Sequence, residues 1–357
     1  MQLRTWLNTS LSTTPKVSVV MPVHNGATFL CEAVESILLQ TFNDFEFIIV
    51  DDGSIDETGS ILADYQCRDP RIRVHSHERR GHSASINTAL ELARGEYAAR
   101  MDADDVSMPT RLAAQVAFMD AHREVGVCGT WIRTFGIPGG RVVRYATEDA
   151  VLRSQLLFGN PIAHPSLILR RRVFTEAGLL YQIGRFADDY EMWMRASRRC
   201  HLANIPRVLL HYRLHSSQVS RRQFDEQMDE AKSLRLSQLA LLNVVPTQEE
   251  AELHETVSNL QLAVEFQPSI ELLDRAEAWL RHLQAANQTA RAFPEPAFSS
   301  TLSRQWYKVC SASVSLGWPM WLWARRSEFG RRDPQRFGNV IKLAVKCGLG
   351  RRWLRAA

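Results

Sequence analysis

The residues of this chain best suited to chemistry are three carboxylates within four positions, Asp102, Asp104 and Asp105, at the end of the strand-like run Tyr97–Met101. Such a group repels itself unless a cation or a donor-rich ligand neutralises it. Asp102-x-Asp104 offers two hard oxygen ligands at short range, which suits Mg²⁺ or Mn²⁺ shared with a phosphate-bearing substrate. An acidic turn closing a strand would look the same in isolation. Two more polar clusters precede it, Pro22-Val23-His24-Asn25-Gly26 and Asp51-Asp52-Gly53-Ser54. Further on, Asp188-Asp189 opens the run DDYEMWMR, where a helix dipole favours anions. Plain N-capping is the competing use of that pair.

The elements that must carry these residues alternate. Lys16–Met21, Phe45–Val50 and Tyr97–Met101 read as strands buried on both faces, and Arg71–His75 as a short one between them. Leu30, Val34, Ile37 and Leu38 recur at helical spacing, as do Ile86, Ala89, Leu90 and Ala93, a helix that Gly95 is expected to stop. Asp56 is expected to N-cap the helix running towards Gln66. The alternation predicts a right-handed, mostly parallel α/β sheet. In such sheets ligands bind beyond the carboxyl ends of strands, where all three clusters fall. Beyond them the pattern predicts a helix from Pro109, strands at Val125–Phe135, Leu167–Arg170 and Arg207–Tyr212, and a loop at Gly136–Gly140.

Composition bounds the function. With 45% hydrophobic and 23% charged residues the chain is core-forming, and its 357 residues suggest about two domains. A net charge of only +4 argues against nucleic acid as a partner. The six cysteines have neither metal-ligand spacing nor a paired framework, and are expected to be mostly buried free thiols. Met1–Pro15 lacks a secretory apolar core, and no run is long and apolar enough to span a bilayer, so a cytoplasmic location is expected. A dinucleotide-dependent dehydrogenase would need Gly-x-Gly-x-x-Gly after the first strand, and it is absent. A sugar-nucleotide pyrophosphorylase would need a glycine-rich loop bearing Arg or Lys there, and Pro22–Gly26 has neither.

In order, VSVVMPVHN, IIVDDGSIDET, NTALELARGEYAARMDADD and FADDYEMWMR resemble the inverting glycosyltransferases of family 2, over roughly Lys16 to Ser220. The resemblance implies a GT-A fold and sugar transfer from a nucleotide-diphosphate sugar, with a UDP-sugar expected, to a glycan or lipid-linked glycan acceptor. Bacterial surface polysaccharide synthesis is the expected setting. It implies that Pro22, Val23 and Asn25 lie against the nucleotide and that Asp52, or Asp51, hydrogen-bonds its base. Asp102 would meet the ribose or support the metal, Asp104 would hold Mn²⁺ or Mg²⁺, and Asp105 would support it. Asp189 would be the general base, with Asp188 supporting where the family most often has Glu. His215 matches a position that in some relatives lies near the diphosphate or metal. His24 stands where Tyr is common, and Arg80-Gly81-His82 where relatives often have Asn-x-Gly. The alternative is a catalytically inactive GT-A protein that binds glycans or nucleotide-sugars.

The organisation expected is an N-terminal extension (1–15), a glycosyltransferase domain (16–220) with a nucleotide half (16–108) and an acceptor half (109–220), a helical region (221–293) and a basic segment (294–357). In the helical region Leu253, Val257, Leu260 and Val264 form one stripe, and Leu272, Ala276, Leu280 and Leu283 another. From Trp318 onward the chain carries Trp318, Trp321, Trp323 and Trp353 among ten Arg and Lys and two acids. This is expected to rest on the inner face of the plasma membrane, with tryptophans at headgroup level and arginines on anionic lipid. A basic solvated tail with its tryptophans packed on the catalytic domain is the competing reading. The remaining arginines of interest, Arg71, Arg73 and Arg111, could meet phosphate or base, but surface salt bridges are the expected use, and His164 and His211 are expected to be structural.

Overall fold

Strands β1 (Val17–Val23), β2 (Phe45–Asp52) and β4 (Tyr97–Arg100) are buried along their whole length, so apolar side chains must face helices on both sides. A computed structural model of the chain describes residues 14–216, 218, 223–260, 267–332 and 336–349. Val264 and Trp353 fall outside them. The described residues form two compact units, one drawn from 1–143, 164–183 and 207–214, the other from 144–163, 184–206 and 215–357.

The sheet is ordered β3-β2-β1-β4-β8-β6-β9-β5, with β3 at Ile72–His77, β5 at Val106–Ser107, β6 at Val125–Phe135, β8 at Ile168–Arg170 and β9 at His201–Arg213, all in the first unit except the first six residues of β9. A short β7 (Val142–Val143) pairs with β6. Pairing is parallel from β3 through β2 and β1 to β4, and antiparallel at β4–β8, β6–β8 and β5–β9. This is a mixed α/β sheet, mostly parallel over its first strands and flanked by helices. Helices α1 (Ala27–Leu38), α2 (Thr58–Arg68), α3 (His82–Leu92) and α4 (Arg111–Ala121) connect its first strands. Register matters most here. Val23 lies opposite Asp51, Asp52 opposite His77, and Val20 opposite Arg100, so the polar strand ends share one edge.

Three local expectations change. Helix α3 ends at Leu92, before Gly95, because Ala93 is already extended. Glycine is required at 95 because a Cβ there would sit 2.6 Å from the Ser18 amide of β1. Helix α2 starts at Thr58 with Glu57 at its N-cap position, while Asp56 accepts from the Thr58 amide at 3.0 Å and the Ala27 amide at 3.2 Å. Asp56 therefore caps from one residue further out and ties α2 to the start of α1. Strand β9 begins at His201, six residues before the expected start.

The second unit is largely helical, as the C-terminal patterning implied. Helices α5 (Asp149–Gln155) and α7 (Asp188–Ala196) belong to it; the short α6 (Arg171–Glu176) belongs to the first unit. It continues through α8 (Phe224–Gln238), α9 (Gln248–Ser258), α10 (Ile270–Ala290) and α11 (Ala297–Ala312) to α12 (Trp318–Arg326), α13 (Glu328–Arg332) and α14 (Arg336–Leu349). Leu253 and Val257 of α9 and Ala276, Leu280 and Leu283 of α10 enter one core with Trp279, Phe298 and Trp306. Among the described residues no helix is long and apolar enough to cross a membrane. Cys31 and Cys67 are exposed, and the other four cysteines are buried free thiols.

Candidate active site

In the first unit, β4 delivers the aspartates. The ligand oxygens of Asp102, Asp104 and Asp105 lie within 4.8 Å of one another, with Asp105 buried and the other two half-buried. Burial, then repulsion from Asp102 and Asp104, raises the Asp105 carboxyl well above the ordinary carboxylate range, against the Arg213 amide that donates to it. Asp105 Oδ2 is buried with no hydrogen-bond partner. One buried carboxylate oxygen is thus left unsatisfied beside two further carboxylates, which is the condition a divalent cation relieves. The donor set is all hard oxygen and fits Mg²⁺ or Mn²⁺. His215 is half-buried just past β9, its backbone amide donating to Gln218 Oε1 at 3.1 Å.

Two buried arginines lie behind the cluster. Arg100 donates to Asp102 Oδ1 and to His82 Nε2. Arg111, fully buried, donates to the Arg100 and Leu167 carbonyls. Desolvation lowers the Arg111 guanidinium to about 10, partly offset by Asp105. Arg111 was expected on the surface; it is instead a counter-charge to the aspartates, while Arg71 and Arg73 do form ion pairs, with Asp69 and Glu46. His164, hydrogen-bonded to the Tyr181 hydroxyl at 2.8 Å, is held neutral well below the ordinary imidazole range by burial and by the nearby Arg100 and His82.

Arg213 at the end of β9 closes the far side. Its amide donates to Asp105 Oδ1 at 2.8 Å and its Nε to the Asp104 carbonyl at 2.7 Å. Its guanidinium packs between the Phe29 and Phe135 rings, 4.5 and 4.4 Å from their centroids, and pairs with Glu32. Sequence reasoning missed both Arg100 and Arg213. For Arg100 the available signal was a charged residue ending the otherwise apolar β4; β9, which also carries Arg207 and His211, offers none for Arg213.

The β1 and β2 ends are laced together. Asn25, at a left-handed φ of 51°, accepts from the Ile55 amide at 2.9 Å, and its own amide donates to Ser54 Oγ at 2.9 Å. Pro22 and Val23 are buried in β1. His24 donates from Nδ1 to the Asp52 carbonyl at 2.9 Å, so its Nε2 is left to accept from Asn25 Nδ2 and from the Arg79 guanidinium. The Asp52 carboxylate is engaged by the Arg80 amide at 2.7 Å and the Gly81 amide at 3.0 Å, fixing the loop after β3. Gly53 permits this approach, since a Cβ there would lie 2.8 Å from the Arg79 amide. Asp51 accepts from the Ser54 amide at 3.0 Å through one oxygen only, Oδ1.

In the second unit, Asp188 and Asp189 open α7 without a side-chain cap from Ala187, the N-cap residue. From α8, Glu230 Oε2 holds the turn that leads into the helix, accepting from the amides of Phe186 at 2.5 Å and Ala187 at 2.9 Å. Burial opposes the Glu230 charge, but the Arg185 side chain and these two amides hold its carboxyl below the ordinary range. Asp188 is buried and Asp189 half-buried, with Asp189 Oδ1 accepting from the Tyr190 amide of the first turn at 2.7 Å. Asn160 Nδ2 donates to Asp189 Oδ2 at 2.7 Å, which fixes the carboxylate's orientation. Neither Asn160 nor Glu230 was singled out by sequence reasoning, because both act across long stretches of chain.

The sequence model of Glycosyl transferase family 2 matches residues 18–178. An uncharacterized glycosyltransferase of Haemophilus influenzae is 33% identical over 62% of this chain and 72% of its own length. The O-antigen biosynthesis glycosyltransferase WbnJ of Escherichia coli is 32% identical over 58% of this chain and 83% of its own. Among solved structures, residues 1–349 of Staphylococcus aureus TarS in complex with UDP-GlcNAc superpose with a TM-score of 0.53 at 19% identity, over 94% of this chain and 92% of that one. At that identity the likeness is one of fold. The chain belongs to glycosyltransferase family 2.

Proposed function

We propose that this glycosyltransferase is inverting and metal-dependent, and moves a sugar from a UDP-sugar to a hydroxyl of a glycan or lipid-linked glycan, as in bacterial surface polysaccharide synthesis. The observation that carries this reading is the triad Asp102, Asp104 and Asp105, its oxygens within 4.8 Å of one another, at the same sheet edge as Asp51. The O-antigen role named for WbnJ supports the acceptor class, and the UDP-GlcNAc bound to TarS supports the nucleotide.

In this reading Asp104 holds Mn²⁺ or Mg²⁺, with Asp105 behind it, Asp102 towards the ribose and His215 as a further ligand. The cation, when bound, neutralises charge growing on the departing diphosphate. Pro22, Val23 and Asn25 form the wall of the nucleotide pocket. Asp51 reaches the base, since both Asp52 oxygens are engaged by loop amides. Asp189, oriented by Asn160 and supported by Asp188, accepts the proton of the acceptor hydroxyl. That oxygen then bonds to the anomeric carbon from the face opposite the diphosphate. The anomeric C–O bond breaks with its electron pair leaving on the diphosphate, and the configuration inverts. Residues 16–220 form the transferase domain in this reading, and 221–357 are appended to it.

A screen of nucleotide-sugars with Mn²⁺ by thermal shift tests the donor, because a ligand at about 100 times its Kd stabilises by about 2.7 kcal/mol. Stabilisation by UDP-sugars that needs Mn²⁺, followed by a product of inverted anomeric configuration by NMR, is expected. A shift with no nucleotide-sugar, or a product of retained configuration, would contradict the reading. Binding without turnover would leave the inactive binding protein as the answer.

A further inference from the structure

The C-terminal helices of the second unit present a basic face with an apolar centre that the reaction does not use. Residues 318–357 carry ten Arg and Lys against Glu328 and Asp333, a net +8, in a chain whose total is +4, so residues 1–317 sum to −4. On α12, Trp318 is 53% and Leu322 44% exposed, and Arg325 and Arg326 on the following turn are exposed too. On α14, Ile341 is 60% and Val345 52% exposed, each followed by an exposed lysine, Lys342 and Lys346. Leu343 and Cys347 on the opposite face are buried, so α14 keeps two apolar faces, one packed and one open.

The two helices lie side by side. The Trp321 indole N–H donates to the Val340 carbonyl at 3.1 Å. A Cβ on Gly348 would lie 3.7 Å from Trp318 Cζ2, which puts the Trp318 ring beside the stripe of Ile341, Val345 and Gly348. Trp321 and Trp323 pack against the helical core of this unit, while Trp318 is exposed. The exposed apolar residues thus adjoin one another, bordered by cations on both helices. An apolar centre with a cationic border complements an anionic bilayer surface, into which Trp and aliphatic side chains insert while Lys and Arg meet headgroups. A second copy of this chain would bring like charge against like charge.

We propose that α12 and α14 dock the protein on an anionic lipid surface, with Trp318, Leu322, Ile341 and Val345 entering the headgroup layer. The docking is independent of which sugar is transferred, or whether one is. The test is co-sedimentation of the full chain with phosphatidylcholine vesicles containing phosphatidylglycerol, beside pure phosphatidylcholine. Binding to the anionic vesicles that weakens with salt is expected. Lys342→Gln with Lys346→Gln should weaken it roughly thirty-fold, from the usual contribution of a lysine near an anionic surface. Ile341→Ser with Val345→Ser should weaken it at every salt concentration. All four side chains are exposed, so unfolding temperature and, where a donor is known, turnover with a soluble acceptor should not move. Equal binding to both vesicle types, or unchanged binding by both variants, would overturn the proposal. So would a dimer in solution that either variant splits, because the face would then be an interface between copies.

Discussion

Lowering the pH should destabilise the second unit through one imidazole. His254 on α9 is fully buried between two helices and a loop. Trp279 Nε1 donates to its Nδ1 at 3.1 Å, so its Nε2 carries the proton that is donated to the Leu157 carbonyl at 3.1 Å. A second proton would have to displace the indole donor. Desolvation is the chief cause that lowers His254 from 6.5 to about 4, with Arg235 adding to it and the Leu157 carbonyl and Glu255 opposing. The folded protein thus binds the proton less readily than the unfolded chain. Its contribution is fully present above about pH 6.5, and it is lost progressively as the pH falls to about 4. At about 1.4 kcal/mol per unit, the loss over that window is about 3 kcal/mol. Denaturant unfolding followed by circular dichroism at steps from pH 7.5 to 4 measures it. Carboxylates titrating at the low end act on any variant alike, so the informative quantity is the difference from His254→Gln. That variant should be less stable at pH 7.5, by about 1–3 kcal/mol for the disrupted buried hydrogen bonds. The gap should close as the pH falls. Parallel curves for the two proteins would refute the reasoning, since they would mean that His254 ionises alike in both states.

Four further outcomes follow. Glu230→Gln keeps the shape but weakens the hold on the turn into α7, and should lower kcat several-fold with the donor KM unchanged; steady-state kinetics separates the two. Asn160→Ala frees the Asp189 carboxylate and should lower kcat roughly ten- to hundred-fold, read in the same assay. Arg213→Met keeps the stem between Phe29 and Phe135 but removes the Asp104 and Glu32 contacts, and should weaken Mn²⁺-dependent donor binding by calorimetry about ten-fold. Gly95→Ala should cost about 1–3 kcal/mol in denaturant unfolding, because backbone of β1 cannot retreat from the new Cβ.

How much of this was legible in the sequence depended on range. Strands buried on both faces read as unbroken apolar runs, so β1 and β2 were found, and β6 was placed at both of its ends. The three strand-end clusters were legible because each sits where local turn chemistry stops a strand. What the clusters do to one another was not. Asp52 is occupied by amides some 28 residues away, and nothing local distinguishes it from Asp51. Arg111 looked like a surface cation because its neutralising partners come from β4 and its loop. Gly95 was taken as a helix stop when its constraint is the approach of another strand. The early part of β9 was missed because Asn204 and Pro206 are residue types that strands disfavour. Yet Asn204 is buried and its amide is satisfied by the Ala146 and Pro161 carbonyls.

The central claim is that Asp104 and Asp189 carry the chemistry of this family 2 glycosyltransferase. The most direct measurement is nucleoside diphosphate release from the donor found in the screen, at saturating Mn²⁺ and acceptor, by the wild type, Asp104→Asn and Asp189→Asn. Asp189→Asn should bind donor normally and turn over about 10²- to 10⁴-fold more slowly, the usual worth of a general base. Asp104→Asn should lose both Mn²⁺-dependent donor binding and turnover. Wild-type turnover in either variant would contradict the account.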